Sequence, residues 1–271
     1  MPELPEVETT RRSLEAGLVG RIVTDVSIRD RRLRWPVPEA FDRDIVGARI
    51  GELGRRAKYL LIRTDRGTAI LHLGMSGSLT LVSPSDAPVK HDHIDITLDS
   101  GRVLRFHDPR RFGSLHWVVD DPEAHPLLRD LAPEPTDPGF DGDYLHRITR
   151  GRSAAIKQIL MNGNLVTGVG NIYASEALHA AAIRPTTAGR RLSRGRCDTL
   201  VTAVKETLAR AIQAGGSSLR DYVDGAGNPG YFQQESAVYG RDGQPCKRCG
   251  GTIRLIRQGQ RATYFCAGCQ R

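Results

Sequence analysis

The sequence predicts an α+β protein of two domains, and three observations lead to this prediction. A helical pattern opens the chain, strand-like segments separated by turns follow it as far as residue 119, and four helical segments fill most of the remainder. At 271 residues the chain exceeds the usual size of a single domain. We therefore expect an N-terminal antiparallel β-sandwich, or a barrel-like relative, with a long N-terminal helix, followed by a helical C-terminal domain.

The first half of the chain carries the helix and the strands. Val7, Leu14 and Leu18 form one apolar stripe of a helix predicted from Pro5 to about Ala16, and Gly17 and Gly20 end the run. The alternation of Ile94, Asp95, Ile96, Thr97 and Leu98 is typical of a strand with one buried face. The predicted strands are Arg21–Ile28, Tyr59–Arg63, Thr68–Leu73, Ser78–Val82, Ile94–Leu98, Val103–His107 and Ser114–Val119.

Charge is divided unevenly along the chain. Residues 1–149 hold 21 Lys and Arg against 24 Asp and Glu, whereas residues 150–271 hold 18 against 7. A basic C-terminal half indicates a polyanionic partner, although a basic solvated surface is also common. The chain has no apolar run long enough to span a membrane and no signal segment, so we expect a cytosolic protein.

The second half of the chain is predicted to be a linker followed by helices. The stretch Pro122–Gly142 is rich in Pro, Asp and Glu and is predicted to be a linker. Gly163, Gly168 and Gly170 lie just before a helix predicted from Asn171, and such a loop would let backbone N–H groups approach an anion. The predicted helices are Tyr144–Thr149, Ser153–Met161, Asn171–Ala182 and Ser193–Ala214.

Four cysteines form the strongest local pattern of the sequence. Cys246 and Cys249 are separated by two residues, as are Cys266 and Cys269, and sixteen residues lie between the two pairs. This spacing predicts one structural Zn²⁺ held by four thiolates on β-hairpins. A disulfide framework is the less favoured alternative, because only Cys197 lies outside the cluster and no secretory signal is present.

The first residues suggest a nucleophile. Removal of Met1 would leave Pro2 as a free secondary amine, which titrates near pH ~8 and is therefore far more reactive at neutral pH than a lysine. Addition of such an amine to an aldehyde-level carbon gives a cationic iminium, which favours elimination. Glu3 and Glu6 lie close enough to move protons or to stabilise this cation. The simpler alternative is that Pro2 and Pro5 only stiffen the start of a helix.

Three connections between the strands are unusual. Arg55–Tyr59 places three cations before a strand, His72–Gly77 brackets Met75 with glycines, and Asp108–Gly113 sets two arginines and Phe112 on a turn. Taken singly, the cations could protect an exposed sheet edge, and Met75 and Phe112 could pack into the core.

With these motifs in place, the sequence resembles the formamidopyrimidine-DNA glycosylase family from end to end. The resemblance rests on the start Pro2–Thr9, on Arg56–Leu60, His72–Gly77 and Asp108–Gly113, on Gly168–Ala174, and on the finger ending in Gln260–Thr263. It implies a monomeric base-excision repair enzyme that binds duplex DNA between its two domains and removes oxidised purines. It also implies AP lyase activity by β,δ-elimination.

The resemblance implies domain limits as well. These are a catalytic β-sandwich over residues 1–131, a linker and first helical turns over 132–149, a helix–two-turn–helix domain over 150–225, and a zinc finger over 237–271.

Roles for individual residues follow from the same resemblance. Pro2 would be the nucleophile at the sugar C1′, and Glu3 the acid and base; Lys58 and Arg261 would assist catalysis through phosphate contacts. Met75, Arg110 and Phe112 would fill the gap that a flipped nucleotide leaves in the base stack. The DNA-binding residues would be Lys58, Met75, His91, Arg110, Phe112, Asn171 and Arg261, and the loop Ser217–Tyr231 would close over the extruded base.

Two alternatives from other classes stay open at this point. A non-catalytic zinc-finger protein would explain the charge and the cysteines, but it gives no reason for Pro2 and Glu3. An endonuclease VIII-type glycosylase for oxidised pyrimidines would share the nucleophile and the finger. Its start typically reads Pro-Glu-Gly-Pro, whereas this chain has Leu4 at the third of those positions.

Overall fold

The computed structural model describes residues 2–218 and 222–271, and the chain divides into two compact units. The first unit comprises Met1–Arg129 and Ala214–Tyr231, and the second comprises Asp130–Gln213 and Phe232–Arg271. The first boundary falls inside the stretch predicted to be a linker. Nothing in the sequence pattern indicated that the chain returns to the first unit at Ala214.

The first unit opens with the predicted long helix, α1, over Leu4–Leu18. Pro5 lies in its first turn, where the missing N–H costs no hydrogen bond, and Gly20 leaves the helix with a φ of +83°. Val7, Leu14 and Leu18 are at most 1% exposed, as the apolar stripe predicts.

Eight strands of the first unit form two antiparallel sheets of four strands each. One sheet has the order β1-β6-β7-β5 and the other β2-β3-β4-β8. The strands are β1 Val23–Ile28, β2 Ile50–Arg56, β3 Tyr59–Thr64, β4 Gly67–His72, β5 Ser78–Val82, β6 Asp92–Leu98, β7 Val103–His107 and β8 Ser114–Val118. Apolar side chains of both sheets and of α1 share one core, so the predicted sandwich with a long helix is confirmed.

The sequence missed one α-helix and one strand among the described residues of this unit. The first is α2, a short helix over Phe41–Ile45, and the second is β2. Strand β2 contains Gly51 and Gly54 and shows no regular alternation, which explains why its pattern did not indicate a strand. Arg55 and Arg56, predicted to lie in a connection, are therefore the last residues of a paired strand.

The second unit is helical and ends in a β-hairpin. Its helices are α3 Gly142–Thr149, α4 Ile156–Leu160, α5 Asn171–Ala180, α6 Arg194–Gln213 and α7 Phe232–Glu235. The hairpin joins β9, Ile253–Gln258, to β10, Arg261–Cys266. Leu200, Val204 and Leu208 are buried along α6, as their i+4 spacing predicts. In the described part of the chain, no helix is long and apolar enough to cross a membrane.

Candidate functional site

Hydrogen bonds fix the start of the chain. Pro2 is buried and Glu3 is 2% exposed, immediately before α1. The carboxylate of Glu6 accepts the N–H of Glu3 at 2.7 Å and, with its other oxygen, the N–H of Ser217 at 2.7 Å. The backbone beside Pro2 is therefore held by a buried carboxylate that also binds the returning segment. Met1, whose removal the sequence reasoning assumed, lies outside the described residues.

The three unusual connections all lie at the same end of one sheet. Tyr59 of β3 pairs with His72 of β4, which in turn pairs with Ser114 of β8. The turn before Tyr59, the loop after His72 and the loop before Ser114 therefore emerge side by side. These connections carry Lys58, Met75, Arg110 and Phe112, so the structure brings together four of the residues selected from the sequence.

Lys58 lies in a two-residue turn between β2 and β3. Ala57 precedes it with a φ of +55°, and the Ala57 carbonyl accepts a hydrogen bond from the Arg55 guanidinium at 3.0 Å. Arg55 is held in turn by Glu8 of α1 at 3.0 Å. Burial alone would raise the pKa of the Glu8 carboxyl, but hydrogen bonds from Arg11, Arg12 and Arg55 hold that pKa at about 2. The turn is thus anchored to α1 by an ionised carboxylate.

A neutral histidine shapes the loop that carries Met75. The N–H of Gly74 donates to His72 Nδ1 at 2.9 Å. Burial, together with the charges of Lys58 and Arg34, lowers the pKa of His72 to about 4, so this ring is neutral at pH 7 and its Nδ1 can accept. Met75 is 36% exposed, which excludes its packing into the core.

Arg110 and Phe112 lie together on the neighbouring loop. The Arg110 guanidinium carbon is 4.7 Å from the centre of the Phe112 ring, and this ring is 44% exposed. A large aromatic side chain that stays exposed and stacks on a cation is typical of a binding surface. His91 lies beside this loop, because its carbonyl accepts the N–H of Asp108 at 3.0 Å.

Left-handed backbone is concentrated around the selected residues. Among the described residues, five that are not glycine have a positive φ, namely Ala57, His91, Arg111, Ala182 and Gln260. All but Ala182 either are a selected DNA-binding residue or directly adjoin one. Strained backbone of this kind persists where the surroundings impose it and is enriched at functional sites.

A buried lysine joins two selected residues of the second unit. Lys157 Nζ, on a residue 1% exposed, donates to the Asn171 side-chain oxygen at 2.7 Å, to Thr263 Oγ1 at 2.7 Å and to the Ala262 carbonyl at 3.0 Å. Arg261 directly precedes Ala262 and is exposed at the start of β10. Lys157 therefore fixes Asn171 relative to the strand that presents Arg261.

The four cysteines converge as predicted. Their sulfur atoms all lie within 4.8 Å of one another, with 3.8 Å between Cys246 and Cys269 and 3.5 Å between Cys249 and Cys266. These distances are far longer than a disulfide of about 2.05 Å. They match the edge of about 3.8 Å that a tetrahedron of Zn–S bonds near 2.3 Å requires. The residues present therefore fit one tetrahedral Zn²⁺.

The comparisons with known proteins cover the whole chain. Residues 1–115 match the formamidopyrimidine-DNA glycosylase N-terminal domain, residues 131–223 the H2TH domain of the same glycosylase, and residues 243–271 a zinc finger found in FPG and IleRS. The formamidopyrimidine-DNA glycosylase of Stutzerimonas stutzeri is 57% identical over 271 residues, with both chains fully covered. The chain belongs to the formamidopyrimidine-DNA glycosylase family.

Solved structures of this glycosylase family have the same fold. The Fpg of Thermus thermophilus is 39% identical and superposes with a TM-score of 0.88, over 99% of this chain and 98% of its own. The Lactococcus lactis Fpg bound to abasic-site DNA is 34% identical, with a TM-score of 0.92 and full coverage of both chains. A point mutant of the Lactococcus protein has been solved with DNA that contains Fapy-dG.

Membership of the glycosylase family confirms three predictions. The family itself was identified correctly from the motifs, the chain is an enzyme rather than a non-catalytic zinc-finger protein, and the finger is a zinc site for one metal ion. The roles of the individual site residues stay predictions.

Sequence reasoning missed buried residues that support the site. It did not assign Lys157, and it treated Asp108 only as part of a turn. A lysine within the apolar stretch Ala154–Leu160 was a detectable signal, because a buried lysine requires partners. The bonds of Glu6 to Ser217 and of Asp108 to Ser76 span 211 and 32 residues, so no local pattern could have revealed these two.

Proposed function

We propose that this chain removes oxidised purines, 8-oxoguanine and formamidopyrimidines, from duplex DNA and cleaves the resulting abasic site by β,δ-elimination. The observation that carries this proposal is the adjacency of exposed Met75, Arg110 and Phe112 on two neighbouring loops. Two apolar side chains and a guanidinium held at a surface suit a gap in a base stack, where they recover part of the cost of extruding a nucleotide. The proposed substrate is chromosomal DNA, so the proposed location is the bacterial cytosol.

The proposed chemistry starts at the N-terminal amine. The Pro2 nitrogen attacks C1′ of the damaged nucleotide, the N–C1′ bond forms and the base leaves as the glycosidic bond breaks. Glu3 donates a proton to the sugar as the deoxyribose ring opens to the iminium. The resulting Glu3 carboxylate later accepts a proton as a base. The iminium withdraws electrons, so loss of the C2′ proton expels the 3′ phosphate and leaves a conjugated iminium. Loss of the C4′ proton from that conjugated iminium then expels the 5′ phosphate.

Three side chains are proposed to hold the phosphates next to the lesion. Lys58 and Arg261 supply positive charge, and Asn171 supplies a neutral amide donor, since Lys157 already binds its oxygen. We place His91 with these DNA contacts, because it lies beside the loop of Arg110.

The returning segment is proposed to cap the extruded base. Ser217 pairs with Tyr231 and donates its N–H to Glu6 of α1 at 2.7 Å. Within the loop, the Gly225 N–H donates to Ser13 Oγ of α1 at 2.8 Å, so the loop is bonded to α1 at two points. Leu219, Arg220 and Asp221 of this loop lie outside the described residues. The proposal of a cap rests on the bond between Ser217 and Glu6, whose carboxylate also holds the N–H of Glu3 next to Pro2.

Oxidised pyrimidines are the second candidate substrate. The Lactococcus Fpg, at 34% identity, has been solved with DNA that contains an oxidised pyrimidine. Duplexes that carry 8-oxoguanine, a formamidopyrimidine or an oxidised pyrimidine, each opposite cytosine or its normal partner, distinguish the candidates by excision rate. Faster excision of the pyrimidine lesion would make oxidised pyrimidines the preferred substrate.

Covalent trapping tests the nucleophile. Borohydride should reduce the iminium and link the processed wild type to lesion DNA. Retained Met1 or an N-terminal tag should abolish trapping while duplex binding remains, and Pro2→Gly should keep part of it through a primary terminal amine. If the tagged protein traps as well as the processed one, a side chain is the nucleophile, and Lys58 is the first to test.

A further inference from the structure

One buried carboxylate, that of Asp108, is bonded to both loops proposed to fill the base stack. Its Oδ1 accepts the hydroxyl of Ser76 at 3.1 Å and the N–H of Arg110 at 3.3 Å, and its Oδ2 accepts the N–H of Gly113 at 2.7 Å. Ser76 adjoins Met75, whereas Arg110 and Gly113 belong to the loop of Phe112. The two loops therefore share one acceptor.

The backbone of Asp108 extends the same network to the histidines. Its carbonyl lies 2.8 Å from His93 Nε2, and its N–H donates to the carbonyl of His91 at 3.0 Å. Asp108 itself is 0% exposed, so water cannot replace a lost partner. Asp108 is therefore bonded to the segments that carry four of the predicted DNA-binding residues, namely Met75, His91, Arg110 and Phe112.

The two loops are also in direct backbone contact. Gly74 has a φ of +69°, and a Cβ at this position would lie 2.4 Å from the N atom of Gly113 and 2.4 Å from the carbonyl carbon of Phe112. Only glycine permits this approach. The two loops are therefore packed closely enough for one carboxylate to bond to both.

We propose that Asp108 is a positioning residue that holds Met75, Arg110 and Phe112 as one unit for insertion into the base stack. The proposal rests on the proposed function, because it assigns these three side chains to the gap left by the flipped nucleotide. Asp108 does not touch DNA in this proposal. It acts through the spacing of the two loops.

Asp108→Asn is the most informative variant. Asparagine keeps the size of the side chain but turns one oxygen into an N–H donor, which cannot accept the N–H of Gly113 or of Arg110. Excision of 8-oxoguanine from duplex DNA should fall by about 100-fold, the cost of misplacing groups by about 1 Å. Trapping on single-stranded abasic DNA, which has no stack to fill, should stay within about threefold of wild type.

Coupling between the loops gives a readout that a purely structural role would not change. Met75→Ala and Phe112→Ala should each slow duplex excision by about tenfold in the wild type and by less than about threefold in Asp108→Asn, where the unit is already broken. Asp95→Asn is the matched control, since Asp95 is a buried carboxylate paired with Arg105 and Arg29. It should leave the tenfold effects unchanged.

Ser76→Ala keeps the proposal testable if Asp108→Asn does not fold. Ser76→Ala removes only the hydrogen bond from the loop of Met75 to the Asp108 carboxylate. The variant should fold normally, and Met75→Ala should have a smaller effect in it than in the wild type. Undiminished effects of Met75→Ala in folded Ser76→Ala and Asp108→Asn proteins would overturn the proposal. Absence of excision and trapping in the wild type would instead refute the proposed function, so the two failures are distinguishable.

Discussion

Lys157 Nζ lies 2.7 Å from the side-chain oxygen of Asn171 and also binds the strand that begins at Arg261. The two proposed phosphate contacts of the second unit are therefore fixed to each other by one buried ammonium group. They differ in charge, since Asn171 is neutral and Arg261 is a cation. This difference separates their effects on the salt dependence of DNA binding.

Binding of undamaged duplex should weaken steeply with salt, because each neutralised phosphate releases counterions. Arg261→Ala should reduce the slope of log K against log[salt] by about one unit, whereas Asn171→Ala should weaken binding at every salt concentration without changing the slope. Fluorescence anisotropy between about 50 and 200 mM salt measures both. An unchanged slope for Arg261→Ala would remove Arg261 from the phosphate contacts.

Zinc should be structural and take no part in the chemistry. Cys249→Ser removes one of four thiolates and should lower zinc content, DNA binding and excision together, because metal binding and folding of the finger are one equilibrium. Metal analysis and binding assays measure these effects. Cys197→Ala is the matched control, since Cys197 is buried in α6 outside the cluster, and it should retain one zinc per chain. Normal lesion binding by a zinc-free Cys249→Ser protein contradicts this prediction.

The base opposite the lesion should be read by Arg110. An unpaired cytosine presents adjacent acceptors at O2 and N3 that a guanidinium can bind together, whereas adenine places an amino donor near the same position. Arg110→Ala should slow excision and bring the ratio of rates opposite cytosine and adenine close to one. Single-turnover excision from the two duplexes measures this ratio. A ratio retained in full would assign the discrimination to another residue.

Acid should destabilise the first unit through Glu8. Its pKa in the folded chain is about 2, below the ordinary value of 4.5, so Glu8 stabilises the fold above pH 4.5 and loses this contribution as the pH falls towards 2. Across that range, unfolding of the wild type should take up as much as one more proton than unfolding of Glu8→Gln. Thermal unfolding as a function of pH measures the difference.

Glu15→Gln is the control for this experiment, because Glu15 lies on the same helix with a half-exposed side chain. The change in pH dependence that Glu8→Gln causes should exceed the change that Glu15→Gln causes. Identical profiles for Glu8→Gln and wild type would contradict the assignment.

What the sequence could predict was local. The apolar stripe of α1 and the spacing of the four cysteines are set by neighbours along the chain, and both predictions are confirmed. Strand β2 was missed because Gly51 and Gly54 interrupt its alternation, and pairing with β3 supplies what its own residues lack. The bonds that organise the site join distant positions: Glu6 and Ser217 are 211 residues apart, and Lys157 and Thr263 are 106 residues apart.

The return of Ala214–Tyr231 to the first unit sets a constraint on how the protein is made. Strand β5 lies at the edge of its sheet, and the N–H of Leu81 finds its acceptor in the carbonyl of Gly225. At about 5 to 20 residues per second, a ribosome needs roughly 5 to 20 s to extend the chain from residue 129 to residue 231. During this interval the nascent first unit presents an uncovered strand edge, the kind of surface through which chains aggregate. A fragment ending at Arg129 would keep that edge permanently, so we expect it to aggregate more readily than the full chain.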